Sequence, residues 1–260
     1  MLSRLSGLSR PRSLALSAVP VVALLVVVGV APLPYAVAQP GLTANVLGDY
    51  RGDPVISIKG AETREPEGEL RMTTILATGP SADVDFGDVL DGWIRTDRAV
   101  LPRNSVYPAG QSDKEIERHN TQEMVKSQNV AVDAALAQLG RKPDSVDVTL
   151  HLADVGGPSA GLLFALGIVD MLDGDLTGGR SIAGTGTISA DGDVGAVGGV
   201  SLKTQAAARD GATVFLVPEA ECTDARSELP DGMRLIPVRT LKDAVSSLRS
   251  LKRGGKVPNC

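Results

Sequence analysis

Behind Arg4, Arg10 and Arg12 the chain carries an uncharged stretch, 13–48, whose apolar heart runs from Leu14 to Val30 and ends at Pro32 and Pro34. A run with no polar face is a poor core helix. Its length lies between the apolar region of a cleaved signal, about 7–15 residues, and the about 20 of a membrane span. The longer reading makes residues 1–38 an uncleaved N-terminal membrane helix, a signal anchor with the rest of the chain extracytoplasmic at the cell membrane. Ala36-Val37-Ala38 before Gln39 keeps open the alternative of cleavage near Ala38 and secretion. Further on, 40–50 reads as a linker or first turn, 55–58 and 70–76 as short strands, and 81–91 as a solvated acidic loop. The segment 102–112 is turn-rich. Met124, Val125, Ala131, Ala134, Ala135, Leu136 and Leu139 gather on one side of a helix over 114–139 that Gly140 can end. Val146, Val148, Leu150 and Leu152 alternate with polar residues, as in a half-buried strand. A glycine-rich turn then opens an apolar helix to about 172. Strands at 181–188, 212–217 and 233–238 alternate with helices at 200–209, 219–228 and 241–251. This order predicts a mixed α/β (α+β) layered sheet with helices.

Composition narrows the partners. Of 260 residues 43% are apolar and 22% charged, ordinary for a globular chain, while only 3% are aromatic, so the core must be Val, Leu, Ile and Ala. Formal net charge is −5; setting aside the three leading arginines leaves 23 basic against 31 acidic residues. Such a surface repels phosphate backbones, and no nucleic-acid partner is expected. Two cysteines in an oxidising compartment permit one disulfide, Cys222–Cys260. With His119 and His151 they offer no zinc-ligand spacing, and neither a metal nor a cofactor is expected.

Gly157-Pro158-Ser159-Ala160-Gly161 matches G-x-S-x-G, a turn that can expose a nucleophilic serine. By itself the motif is weak, since a Gly-Pro-Ser helix start has the same letters. A Ser–Asp–His hydrolase needs a histidine after the serine, and His119 and His151 both precede it. His151 falls among the outward positions of its strand. Any base for Ser159 is then another group, and a lysine serves once burial frees its neutral form.

The segment Asp154-Val155-Gly156-Gly157-Pro158-Ser159-Ala160-Gly161 resembles the catalytic-serine segment of Lon proteases. Ala183-Gly184-Thr185-Gly186-Thr187-Ile188, followed by 192–203 ending in Leu202-Lys203, resembles their second segment, and 206–218 continues it. The resemblance covers roughly 53–251, most strongly 154–218. It implies a serine endopeptidase in which Ser159 is the nucleophile and Lys203 the base. Thr185 is implied to hydrogen-bond the lysine, and backbone N–H groups around Gly157 and Ala160 to stabilise the oxyanion. On this likeness 39–145 is the N-terminal part of the domain, 146–253 its catalytic core and 254–260 a tail. The anchor and the cysteines further resemble a membrane-anchored actinobacterial subgroup that usually carries a PDZ domain. Here only 140–146 joins helix to strand, too little for that module. Many Lon proteases also have an acid three positions before the serine, where this chain has Gly156.

The reading implies polypeptide substrates, admits a homo-oligomer, and expects no nucleotide requirement, because no G-x-x-x-x-G-K-[ST] loop occurs and Gly254-Gly255-Lys256 lacks its flanking residues. A catalytically silent envelope scaffold on the same fold is the competing function. A lipase or esterase is disfavoured by the missing downstream histidine.

Overall fold

Two helical layers enclose one twisted sheet, and the computed structural model describes this arrangement for residues 10–107, 112–152 and 157–260, with side chains from residue 16 onward except that of Asp144. The elements in chain order are α1 (Arg10–Val30), β1 (Tyr35–Asn45), β2 (Asp49–Tyr50), β3 (Asp53–Pro54), β4 (Ile56–Lys59), β5 (Glu69–Ala77), α2 (Phe86–Ile94), β6 (Ala99–Pro102), α3 (Arg103–Val106) and α4 (Asp113–Gln138). Then follow β7 (Asp147–Leu150), α5 (Gly161–Asp173), β8 (Ser181–Gly184), β9 (Thr187–Ile188), β10 (Val194–Gly195), α6 (Val200–Arg209), β11 (Val214–Pro218), α7 (Cys222–Arg226), β12 (Arg234–Val238) and α8 (Leu241–Lys252). The main sheet has the order β12-β11-β8-β5-β1-β6. From β12 to β5 neighbours are parallel; β1 pairs antiparallel with both β5 and β6.

Alternation along the strands sends side chains to two cores. Ile182, Val214, Leu216 and Ile236 join α4, α5 and α8 on one face, where α5 is buried almost all round. Ala183, Phe215 and Leu235 join Val200 and Ala207 of α6 and Ala225 of α7 on the other. Cys222 on α7 is disulfide-bonded to Cys260, which holds the tail against this second layer.

Several expectations need correction. The stretch 40–50 is no linker, for β1 occupies most of it and lies between two partners. Pro40 and Gly41, which read as a turn, sit instead at a shift of register between Pro40 and Thr43, where a bulge tolerates both. The boundary expected after Ala38 therefore falls inside a strand, with Ala36 and Ala38 fully buried. The acidic 81–91 segment is partly helix. Asp85 caps α2 by accepting from the Asp88 N–H, and Asp88 returns the bond to the Asp85 N–H, so those carboxylates complement a helix N-terminus. The strand expected over 181–188 breaks into β8 and β9 at Gly186, whose φ of +150° an L side chain rarely adopts. Finally, no helix among the described residues is long and apolar enough to cross a membrane. Within α1 the apolar run from Leu14 to Val30 is about 25 Å long at 1.5 Å per residue, against a hydrocarbon core of about 30 Å.

At Gly41 the sheet meets its own neighbour. A Cβ there would strike Thr74 Oγ1 and lie 2.7 Å from the Thr74 carbonyl carbon. Gly41→Ala is expected to lower stability by about 1–3 kcal/mol, as overpacking does, measured by urea denaturation.

Candidate active site

The parallel strand β8 ends at Gly184, and Thr185 follows directly at its carboxyl end, the position at which open α/β sheets bind ligands. Three elements converge there. Pro158–Ala160 forms one 3-10 turn that leads into α5 on the first helical layer, so Ser159 arrives from that side. Lys203 arrives from α6, on the opposite face. It is only 3% exposed, because Val200, Leu202, Lys203, Thr204, Ala206 and Ala207 are all buried as α6 packs on the sheet. Gly199 starts this helix in the left-handed region, φ +67°, with Ile75 3.0 Å from where a Cβ would stand.

Thr185 joins the two sides. Its N–H donates to Leu216 O at 3.1 Å, which fixes it to β11. Its hydroxyl donates to the Ser159 carbonyl at 3.2 Å, and the same oxygen accepts from Lys203 Nζ at 3.1 Å. Gly186 N–H also donates to the Ser159 carbonyl, at 2.9 Å, and Leu162 N–H donates back to Gly186 O at 3.1 Å. Ser127 of α4 donates to Pro158 O at 3.0 Å, and Thr73 of β5 to Gly184 O at 3.1 Å. The serine turn and the end of β8 are thus held by five elements. Among the described residues no hydrogen bond joins the Ser159 hydroxyl to the Lys203 amine. They are linked through Thr185. Asp154 and Gly156 lie outside the described residues.

Burial disfavours the charged amine and brings the Lys203 pKa down to about 8, against a smaller opposing pull from Glu221. Glu221 had no signal in the sequence; it sits in a Pro-Glu-Ala-Glu stretch with no catalytic spacing. Its Oε1 accepts from Val197 N–H at 3.0 Å, while its buried Oε2 has no partner among the described residues. Burial raises its own pKa, and neighbouring Asp224, bonded to Val200 N–H at 3.0 Å, adds to that rise. Glu221 and Lys203 therefore each moderate the other's burial.

A cleft of about 660 Å³ opens beside the serine turn, lined by Ile75, Tyr107, Ile116, Asn120 and Gly157 among others. Tyr107 is fixed at its rim by donating to Thr78 O at 2.9 Å. His119 and His151 are exposed and take no part.

Residues 119–249 match the Lon protease (S16) C-terminal proteolytic domain. Lon protease 2 of Bacillus subtilis (strain 168) is 30% identical over 142 residues, 54% of this chain and 25% of that protein. Lon protease of Mycoplasma genitalium is 29% identical over 164 residues, covering 58% and 20% respectively. Lon protease of Neorickettsia sennetsu is 32% identical over 109 residues, covering 39% and 13%. The chain thus spans a quarter or less of the length of these relatives.

A lysine whose folded pKa is lowered from 10.5 to about 8 destabilises the fold wherever it is protonated. Below pH 8 the full penalty acts. Between 8 and 10.5 the folded amine is neutral while the unfolded one still binds its proton, so stability rises with pH. Lys203→Met should therefore be more stable than wild type at pH 7, by a few kcal/mol at about 1.4 kcal/mol per pKa unit. Chemical denaturation across pH 6–10.5 should show the gain shrinking as pH rises.

Proposed function

The chain belongs to the Lon protease (S16) family through its proteolytic domain, and on that premise we propose that it is a serine endopeptidase with Ser159 as nucleophile and Lys203 as general base. What carries the reading is the Lys203–Thr185–Ser159 link, a dehydrated amine hydrogen-bonded to the residue that also holds the serine's own carbonyl. Because the Thr185 proton is committed to the Ser159 carbonyl, its oxygen must accept from the lysine. A neutral amine that donates one N–H to Thr185 keeps its lone pair for the serine proton. With a pKa of about 8, roughly a tenth of the amines are neutral at pH 7, against fewer than one in a thousand for a free lysine. Catalytic hydrogen bonds often tighten only once substrate is bound, and the serine–amine contact belongs to that state.

In this mechanism an extended polypeptide enters the cleft beside Gly157. Ser159 Oγ attacks the carbonyl as Lys203 takes the proton and later returns it to the leaving amine. N–H groups of the turn from Gly157 to Ala160 stabilise the oxyanion, aided by the N-terminus of α5. Water then hydrolyses the acyl-enzyme. No PDZ module is inserted between α4 and β7, which are joined by eight residues, 139–146.

We also propose that the chain is held at a membrane by its N-terminal helix, on the extracytoplasmic side. Arg4, Arg10 and Arg12 lead the apolar run. Cleavage after Ala38 would remove every residue that pairs β1 with β6, namely Tyr35 to Ala38.

The dyad is tested with a fluorophosphonate probe and an unfolded protein substrate. Wild type should label and cleave, with activity rising through about pH 8 and then levelling. Ser159→Ala should do neither. Lys203→Arg should lose at least a hundredfold in turnover, since a guanidinium does not deprotonate in this range. A wild-type chain that neither labels nor cleaves supports a silent scaffold instead. Cleavage by this chain should proceed equally with and without ATP and magnesium, measured on the same substrate, because it holds no phosphate-binding loop.

A further inference from the structure

We propose that α2 is a membrane-surface helix, with Phe86, Leu90, Trp93 and Ile94 inserted into the headgroup boundary of the bilayer that receives α1. These positions recur at helical spacing and form one face. All four are exposed, Trp93 by 68% and Ile94 by 74%. The opposite face is locked down. Val89 is buried with Val37 and Val84, and a Cβ at Gly92 would lie 2.6 Å from Val100 Cγ2. So the helix cannot roll to hide its apolar side.

The occupant follows from the neighbour. α2 packs against α1, and Leu33, just beyond α1, donates to Val84 O at 2.7 Å just before α2. Every large apolar side chain of α1 from Leu16 to Val30 is exposed, and they point to all sides. A second copy of the chain would cover one stripe of such a helix and leave the rest in water. A lipid phase covers it all, and places the base of α1, where α2 lies, at the interface. Trp and Phe favour that depth. The charges bordering α2 are paired among themselves, Arg95 with Asp97 at 2.8 Å and Arg98 with Asp91 at 3.0 Å. Among the described residues bordering α2 no unpaired cationic rim calls for anionic lipid, and zwitterionic phosphatidylcholine should suffice.

This inference rests on the tether reading, and one experiment separates the two. Trp93 is the only tryptophan in the chain, so tryptophan emission, excited selectively over tyrosine, reports on α2 alone. The full chain is reconstituted into phosphatidylcholine vesicles with plain or brominated acyl chains and floated on a density gradient. The expected result is flotation with at least a twofold drop in Trp93 emission in the brominated vesicles, strongest for bromines near the headgroup. The Phe86→Ser/Leu90→Ser variant should still float and lose most of that quenching. Flotation with unquenched Trp93 overturns the α2 assignment and leaves the tether standing. No flotation overturns both. Unquenched emission that shifts red as protein is diluted in lipid means that a second copy covers the face, and likewise overturns it.

Discussion

A primary amine withdrawn from water is the constraint around which this fold is arranged. Lys203 cannot be buried cheaply in its charged form, so its surroundings must be apolar enough to release the proton and polar enough to receive an N–H. α6 supplies the first condition by packing Leu202 and Ala206 on the sheet. Thr185 supplies the second with a hydroxyl whose own proton is already committed. Glu221, half-buried with one oxygen unpaired, limits how far the amine is discharged. The pKa that results, about 8, is a compromise between dryness and a nearby carboxylate.

That compromise depends on the sheet's middle. β5 and β8 run parallel and carry Thr73 and Thr185 to one end, while β1 covers the other side of β5 and brings the N-terminal segment into the same layer. Gly41 and Gly184 allow the close approaches this requires. A Cβ at Gly184 would stand 2.9 Å from Leu216 Cβ, on the strand whose carbonyl fixes Thr185. The Ser159 turn is likewise gripped from α4 through Ser127.

Elements with a full period of their own were legible in the sequence. α4 and α8 show a one-sided apolar face, the segment around β7 alternates, and the two glycine-rich segments carrying Ser159 and Lys203 resemble the family to which the chain belongs. What escaped reading is where one residue serves two masters. Pro40 and Gly41 look like a turn and form a bulge in β1. Asp85 and Asp88 look like loop acids and cap α2. Gly186 divides a strand that the apolar pattern would continue. Glu221 is invisible because its role comes from the third dimension alone, through α7 lying beside α6. The apolar N-terminal run showed its composition but not its reach, since length and hydropathy alone do not say where a helix stops being lipid-sized.

Ser159 and Lys203 come to Thr185 from opposite sides of the sheet, on the turn that leads into α5 and on α6. A chain with either layer undocked carries both residues but does not bring the proposed pair together. Newly made copies are unfolded polypeptides, the substrate class proposed for this chain, and they emerge side by side. On that proposal, requiring both layers to close before the pair exists keeps each molecule harmless to its siblings until it has itself ceased to be a substrate.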